Sequence, residues 1–206
     1  MRFLKGLVVV SGALVALFFI VALLLPRTAH VERSVSTTAA PETVYGLVNG
    51  FARFNDWSPW SKLDPKTRYT YSGPVTGVGA RMEWTSASPD VGNGSQEVIA
   101  VEPNRSVTNR LDLGMGSPTT STVSLAPEGS GTRITWTLDV DLAGSLVGRY
   151  FGLMLDRMVG PDYERGLQQL KAVAESETPV AAPTAAPGAT LPAQAPQPGS
   201  AAPAGT

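Results

Sequence analysis

Side chains able to do chemistry are sparse in this chain. His30 is the single histidine, and there is no cysteine. A nucleophile–histidine arrangement needs an imidazole near an activated group, and His30 lies five residues past an apolar run, where it reads as solvated. The carboxylates are not clustered as a metal site requires. No catalytic residue, metal site or cofactor is therefore expected. What remains are polar residues on otherwise apolar strand faces: Glu97, Asn109 and Ser121. A carboxylate on a buried face is costly unless paired, so Glu97 would mark a cavity or a hydrogen-bond partner. A register shift of one residue would instead turn it outward. If there is acid–base chemistry, Glu97 or Tyr71 would carry it. Gly77-Val78-Gly79 is too short for a phosphate loop and reads as a turn.

The elements that must position these residues are legible from periodicity. Ala29 to Thr37 alternates as a strand, and Pro41-Glu42 opens a helix whose stripe is Val44, Leu47 and Val48. A helical turn over Phe51 to Asp56 leads into Trp57-Ser58-Pro59-Trp60, an ordered loop. Six strands follow: Arg68 to Ser72, Ala80 to Ala87, Gly94 to Val101, Arg105 to Leu113, Thr119 to Leu125 and Thr132 to Asp141. Gly, Pro and Asn turn signals separate them. The chain then turns helical from Gly144 to Ser176. Leu146, Tyr150, Phe151, Met154, Leu155 and Met158 recur at spacings of three and four. Gly160-Pro161 divides this stretch into a helix pair, resumed by Tyr163, Leu167, Leu170 and Ala174. The strands need an apolar surface to cover one face, and this is the long one available.

Composition divides the chain into an apolar segment at 1–27, a mixed globular block at 28–177, and a tail at 178–206 without charge and rich in Pro and Ala. The globular block holds thirteen Lys/Arg against all seventeen Asp/Glu. An acidic domain without a basic stripe argues against nucleic acid. Leu7 to Leu25 is uncharged for 19 residues, roughly 28 Å of helix against a hydrocarbon core of about 30 Å. A cleaved signal peptide is the competing reading. Its best cut, after Ala29, puts Arg27 where a small residue belongs, so an uncleaved signal anchor is expected. Arg2 and Lys5 then hold the N-terminus in the cytoplasm, with the domain outside the inner membrane. The tail has too little apolar surface to fold and is expected to be a disordered spacer.

The order strand, two helices, six strands, helix resembles the START-like (SRPBCC) superfamily, and within it bacterial polyketide cyclase/dehydrase-like proteins. The residues that carry the resemblance are His30-Val31-Glu32-Arg33-Ser34 with Ala40-Pro41-Glu42-Thr43-Val44-Tyr45, then Phe54-Asn55-Asp56-Trp57-Ser58-Pro59-Trp60, then Gly160-Pro161-Asp162-Tyr163-Glu164-Arg165-Gly166-Leu167-Gln168-Gln169-Leu170-Lys171. The resemblance implies an α+β helix-grip: a seven-stranded curved antiparallel sheet around a long C-terminal helix, with a cavity between them. It also implies binding of lipids, sterols, aromatic polyketides or other apolar molecules, by members of which some are enzymes.

Strand faces and helix stripes nominate the lining of such a cavity: Tyr69, Tyr71, Met82, Trp84, Trp136, Tyr150, Phe151 and Met154, with Glu97, Asn109 and Ser121 as its polar groups. Core packing is the plain alternative for each aromatic and aliphatic residue. The half of the helical stretch before Gly160 is expected to be the cavity wall, and the half after it a structural clamp. Trp57 and Trp60 read as a plug closing the end of the core, or as a gate or membrane-touching lip. The expected function is a membrane-anchored domain outside the cytoplasm that binds an apolar small molecule or lipid. A cyclase or dehydratase on an apolar substrate and an envelope interaction module are the alternatives.

Overall fold

The computed structural model describes residues 2–114 and 116–177, without the side chain of Arg2. The tail at 178–206, expected to be disordered, lies outside the described residues. Helix α1 (Arg2–Leu24) is followed by strand β1 (Thr28–Thr37) and the short helices α2 (Pro41–Val48) and α3 (Phe54–Trp57). Strands β2 (Arg68–Ser72), β3 (Arg81–Thr85), β4 (Asn93–Glu102), β5 (Ser106–Asp112), β6 (Thr119–Glu128) and β7 (Gly131–Asp141) lead to helix α4 (Leu146–Ser176).

The seven strands form one sheet in the order β1-β7-β6-β5-β4-β3-β2, antiparallel throughout. Strands β2 to β7 meander through short turns. Left-handed residues shape these turns, among them Asn104 (φ 58°) between β4 and β5 and Gly129 (φ 59°) between β6 and β7. Strand β1 closes the far edge by pairing with β7 from Thr28↔Asp141 to Thr37↔Thr132. Alternation puts Ile134, Trp136, Leu138 and Val140 of β7 on the buried, concave face, with Val107 of β5 and Val123 of β6 beside them.

One strand departs from strict alternation. The β4–β5 register shifts between Val98 and Ala100, so Ile99 forms a bulge. Before it, Gln96 and Val98 face the core. After it, Val101 pairs with the buried Val107. Glu97 therefore lies on the convex face, where Arg81 approaches at 3.7 Å and Arg110 at 4.0 Å. Its expected place on the apolar face is corrected: Ile99 and Val101 made that register look apolar, and the bulge removes it.

Helix α4 is likewise a single helix of 31 residues and not a pair, about 46 Å long. Ser145 caps its start by accepting a hydrogen bond from the Gly148 N–H at 2.9 Å. Pro161 lies inside it on the exposed side, at the cost of one helical hydrogen bond. Gly160 faces inward. A Cβ there would fall 2.0 Å from the Arg33 guanidinium, which bridges Asp156 and Glu164 on the preceding and following turns at 2.7 Å each. The Gly-Pro pair is thus a close-packing device. Helix α4 packs on β1, β7, α2 and α3. The opposite half of the sheet curls past it, and a space opens between.

Candidate functional site

That space is a cavity of about 250 Å³ between α4, the α3 segment and strands β2 to β5. Cross-strand neighbours set its floor. Tyr69 pairs with Trp84, Met82 with Gln96, and Gln96 with Leu111, all pointing inward from β2 to β5. Leu138 of β7 extends the floor, and Val159, Asp162 and Tyr163 of α4 form the roof. Phe54, Ser58 and Trp60 close one side, and Asp90 and Val91 reach in from the β3–β4 connection. The lining is predominantly apolar with a few polar groups, as small-molecule sites are.

Deeper in, a recess of about 40 Å³ lies between Asn109, Ser121, Trp136 and Tyr163 and shares Phe54, Trp60, Gln96, Leu111 and Tyr163 with the main cavity. Its walls are held by one network. Trp136 stacks on Tyr163 with ring centroids 3.9 Å apart and planes at 14°. The Trp136 Nε1–H donates to Ser121 Oγ at 2.7 Å, and Ser121 Oγ lies 3.3 Å from the Tyr163 hydroxyl. Burial pushes the Tyr163 phenol far above its ordinary value of 10.0, so it stays protonated and serves as a hydrogen-bonding group. Asn109 Oδ1 is buried in the same region with no hydrogen-bond partner among the described residues. A buried acceptor left unmade costs about 1–3 kcal/mol, so a donor arriving in the recess would relieve it.

The tryptophan loop divides in role. Trp57 is 2% exposed, donates to the Leu47 carbonyl at 3.3 Å, and meets the edges of Phe54 and Trp136 at 4.9 and 5.3 Å. It closes the end of the core. Trp60 lines the cavity and donates to Asp162 Oδ2 on α4 at 3.1 Å. Gly166 lets this loop approach, since a Cβ there would lie 3.1 Å from Pro59 and 2.7 Å from the Trp136 ring.

The residues nominated from sequence are thus scattered. Tyr69, Met82 and Trp84 line the main cavity, and Asn109, Ser121 and Trp136 the recess. Tyr71 is half exposed and lines a separate surface hollow with Phe51, Pro74 and Val75. Glu97 is on the convex face. Tyr150, Phe151 and Met154 are corrected most: none lines either space. Tyr150 stacks on Phe18 of α1, at 4.6 Å and 12°, and donates its hydroxyl to the Phe18 carbonyl at 2.7 Å. Phe151 and Met154 are exposed. Sequence reading missed much of the lining, including Phe54, Gln96, Leu111, Leu138, Val159 and Tyr163. The sequence signal for Tyr163 is its place on the Leu167–Leu170 stripe, which plain packing explains equally well. His30, outside the site, sits 2.7 Å from Asp139, and that hydrogen bond chiefly raises its affinity for a proton.

At the N-terminus, α1 is long and apolar enough to cross a membrane, as a membrane anchor or a signal sequence. No curated protein matches the chain in sequence. Solved structures share its fold at low identity. The di-domain ARO/CYC StfQ from the steffimycin biosynthetic pathway superposes with TM-score 0.55 at 14% identity over 72% of this chain, which spans about half (51%) of StfQ. Norcoclaurine synthase from Thalictrum flavum, solved with dopamine and hydroxybenzaldehyde, gives 0.55 at 13% identity, covering 73% of this chain and 88% of the synthase. A protein from Rhizobium leguminosarum gives 0.53 at 19%, covering 73% and 96%. These likenesses establish the START-like helix-grip. The match that reaches the level of family runs over residues 28–175, the whole of the sheet and nearly all of α4, and by it the chain belongs to the family described as polyketide cyclase/dehydrase and lipid transport.

Proposed function

We propose that this protein is a membrane-anchored domain that binds an apolar small molecule or lipid in the space between sheet and α4. The observation that carries the reading is the apolar cavity of about 250 Å³ ending in a recess where Asn109 Oδ1 has no partner among the described residues. An apolar body would fill the cavity between Met82, Trp84, Leu111 and Val159. One hydroxyl, amine or water on it would donate to Asn109. The family's description includes lipid transport, and norcoclaurine synthase was solved with two small aromatic compounds in the same fold. Both kinds of ligand suit these walls. Glu97 and Tyr71, the acid–base candidates from sequence, stand outside the cavity.

The test is solvent extraction of the purified full chain, with mass spectrometry of what it carries. The wild type should retain an apolar compound, and Leu111→Trp, which fills the cavity, should lose it while keeping the same far-ultraviolet circular dichroism. Should the wild type carry nothing, and the fluorescence of Trp60, Trp84 and Trp136 stay unchanged on adding fatty acids or aromatic polyketides, the reading is wrong.

A further inference from the structure

The first half of α4, Leu146–Val159, is built the reverse way round from a helix that covers a core. Small residues face the protein: a Cβ on Gly152 would lie 2.5 Å from Leu142 and 3.3 Å from Ala29, and one on Gly148 would lie 3.4 Å from Leu142. Large apolar residues face away: Val147, Phe151, Met154 and Met158, at spacings of four, three and four, share one stripe and are all more than half exposed. Such inversion is what a helix facing lipid shows, with small residues at the helix contact and bulky ones outside.

Helix α1 sets the level of this stripe. Arg149 is buried against its end, donating to the Ala22 carbonyl at 3.1 Å and to the Ala143 carbonyl at 3.1 Å. Ala22 lies in the last turn of α1, where free carbonyls and the negative end of the helix dipole favour a cation. Tyr150 reaches further down, to Phe18. Phe18 lies seven residues before the end of the apolar run at Leu25, about 10 Å along the helix axis. That is the depth to which the apolar face of an interfacial helix is buried, about 5–10 Å. From Leu142 to Leu155 there is no acid and a single base, Arg149, and the charged pair that follows, Asp156 and Arg157, lies off the stripe, with Asp156 paired to Arg33 of β1.

We propose that Leu146–Val159 is seated in the headgroup–acyl boundary of a lipid bilayer, with Val147, Phe151, Met154 and Met158 immersed. This rests on the reading of α1 as a membrane anchor. It also orients the domain: Met158 of the stripe adjoins Val159 of the cavity roof, so the cavity lies beside the lipid surface.

The chain has no cysteine, so single-cysteine variants of the full chain can each carry one environment-sensitive nitrobenzoxadiazole label. The variants are Phe151→Cys, Met154→Cys and Met158→Cys, with Gly12→Cys in α1 and Ser130→Cys in the exposed β6–β7 turn. They are placed in phosphatidylethanolamine–phosphatidylglycerol vesicles containing doxyl-labelled lipid. Labels at 151, 154 and 158 should emit blue-shifted and lose most of their emission to the doxyl lipid, as should that at 12, while that at 130 should not. If 12 is quenched but 151, 154 and 158 behave like 130, the seat is refuted and the anchor stands. If 12 is not quenched, the anchor reading fails and the seat with it. Labels at 151–158 that are blue-shifted but shielded from doxyl lipid would show the stripe covered by a second copy or another protein, which also overturns the proposal.

Discussion

The two halves of α4 have opposite surroundings, and the more apolar half is the less buried: nine of the fourteen residues Leu146–Val159 are apolar against six of the sixteen residues Pro161–Ser176. After Gly160, Tyr163, Leu167, Leu170 and Ala174 are buried, and the roof of the cavity is here, at Asp162 and Tyr163. Before it, Arg149 is the buried side chain, while Phe151 is 64% exposed. The difference lies in which residue sizes face β1 and β7. Where large residues face the sheet, Trp136 and Tyr163 stack between helix and sheet. Where glycines face it, the helix lies close to Ala29 and Leu142, and nothing bulky can be accommodated between. An apolar stripe read from sequence therefore reports a surface that avoids water. It does not report whether protein covers it.

The largest effect on that contrast should come from Leu170→Ala. Leu170 is 0% exposed, and truncation of a fully buried leucine costs about 2–5 kcal/mol. Urea unfolding followed by tryptophan fluorescence measures it, and a loss well below that range would mean the second half is less tightly packed than its burial implies. Next is Ser121→Ala, which strands the buried Trp136 Nε1–H. Its expected loss is about 1–3 kcal/mol, accompanied by a changed near-ultraviolet circular dichroism from the Trp136–Tyr163 stack. An unaltered spectrum would detach Ser121 from the network.

Acid should act more weakly and on both halves. Asp156 in the first half is held below its ordinary 3.8, chiefly by the Arg33 hydrogen bond. Glu175 in the second is held below 4.5, first by the Thr38 backbone N–H. A depressed folded value means that each carboxylate stabilises the fold above its ordinary value and loses that contribution as pH falls through the folded one. In Asp156→Asn the fall of the urea midpoint on acidification should be shallower than in the wild type. Identical acid profiles would show that the Arg33 pair does not hold the first half to β1. The smallest effect belongs to Phe151→Ser and Met154→Ser. With both side chains exposed, unfolding free energy in detergent solution should stay within about 0.5 kcal/mol of the wild type. A loss comparable to that of Leu170→Ala would place them in a core and erase the contrast between the halves.

Much of the architecture was legible because alternation is a local property. In β5, β6 and β7, Asn109, Ser121 and Trp136 were assigned to the correct face from period alone, and the structure brings those three together around one recess. In β4 the same method failed at Glu97, since a bulge at Ile99 leaves no mark in a segment apolar on both sides. The sequence predicts a helix pair at the C-terminus because Gly160-Pro161 is a local breaker signal. Contacts on both sides, above all Arg33 bridging Asp156 and Glu164 across the glycine, hold it continuous.

By itself the sequence determined the element order, the family, the apolar N-terminal helix and the faces of the regular strands, because each rests on spacing within one segment or on motif identity. Only the tertiary structure decided that Glu97 points away from the cavity and that Tyr163 roofs it. It also decided that Tyr150, Phe151 and Met154 leave the domain's interior altogether. Those outcomes depend on how closely two distant segments approach. The approach is governed by glycine contacts to β1 and the β7–α4 connection and by one bulge, whose effect appears only when the partner strand is in place.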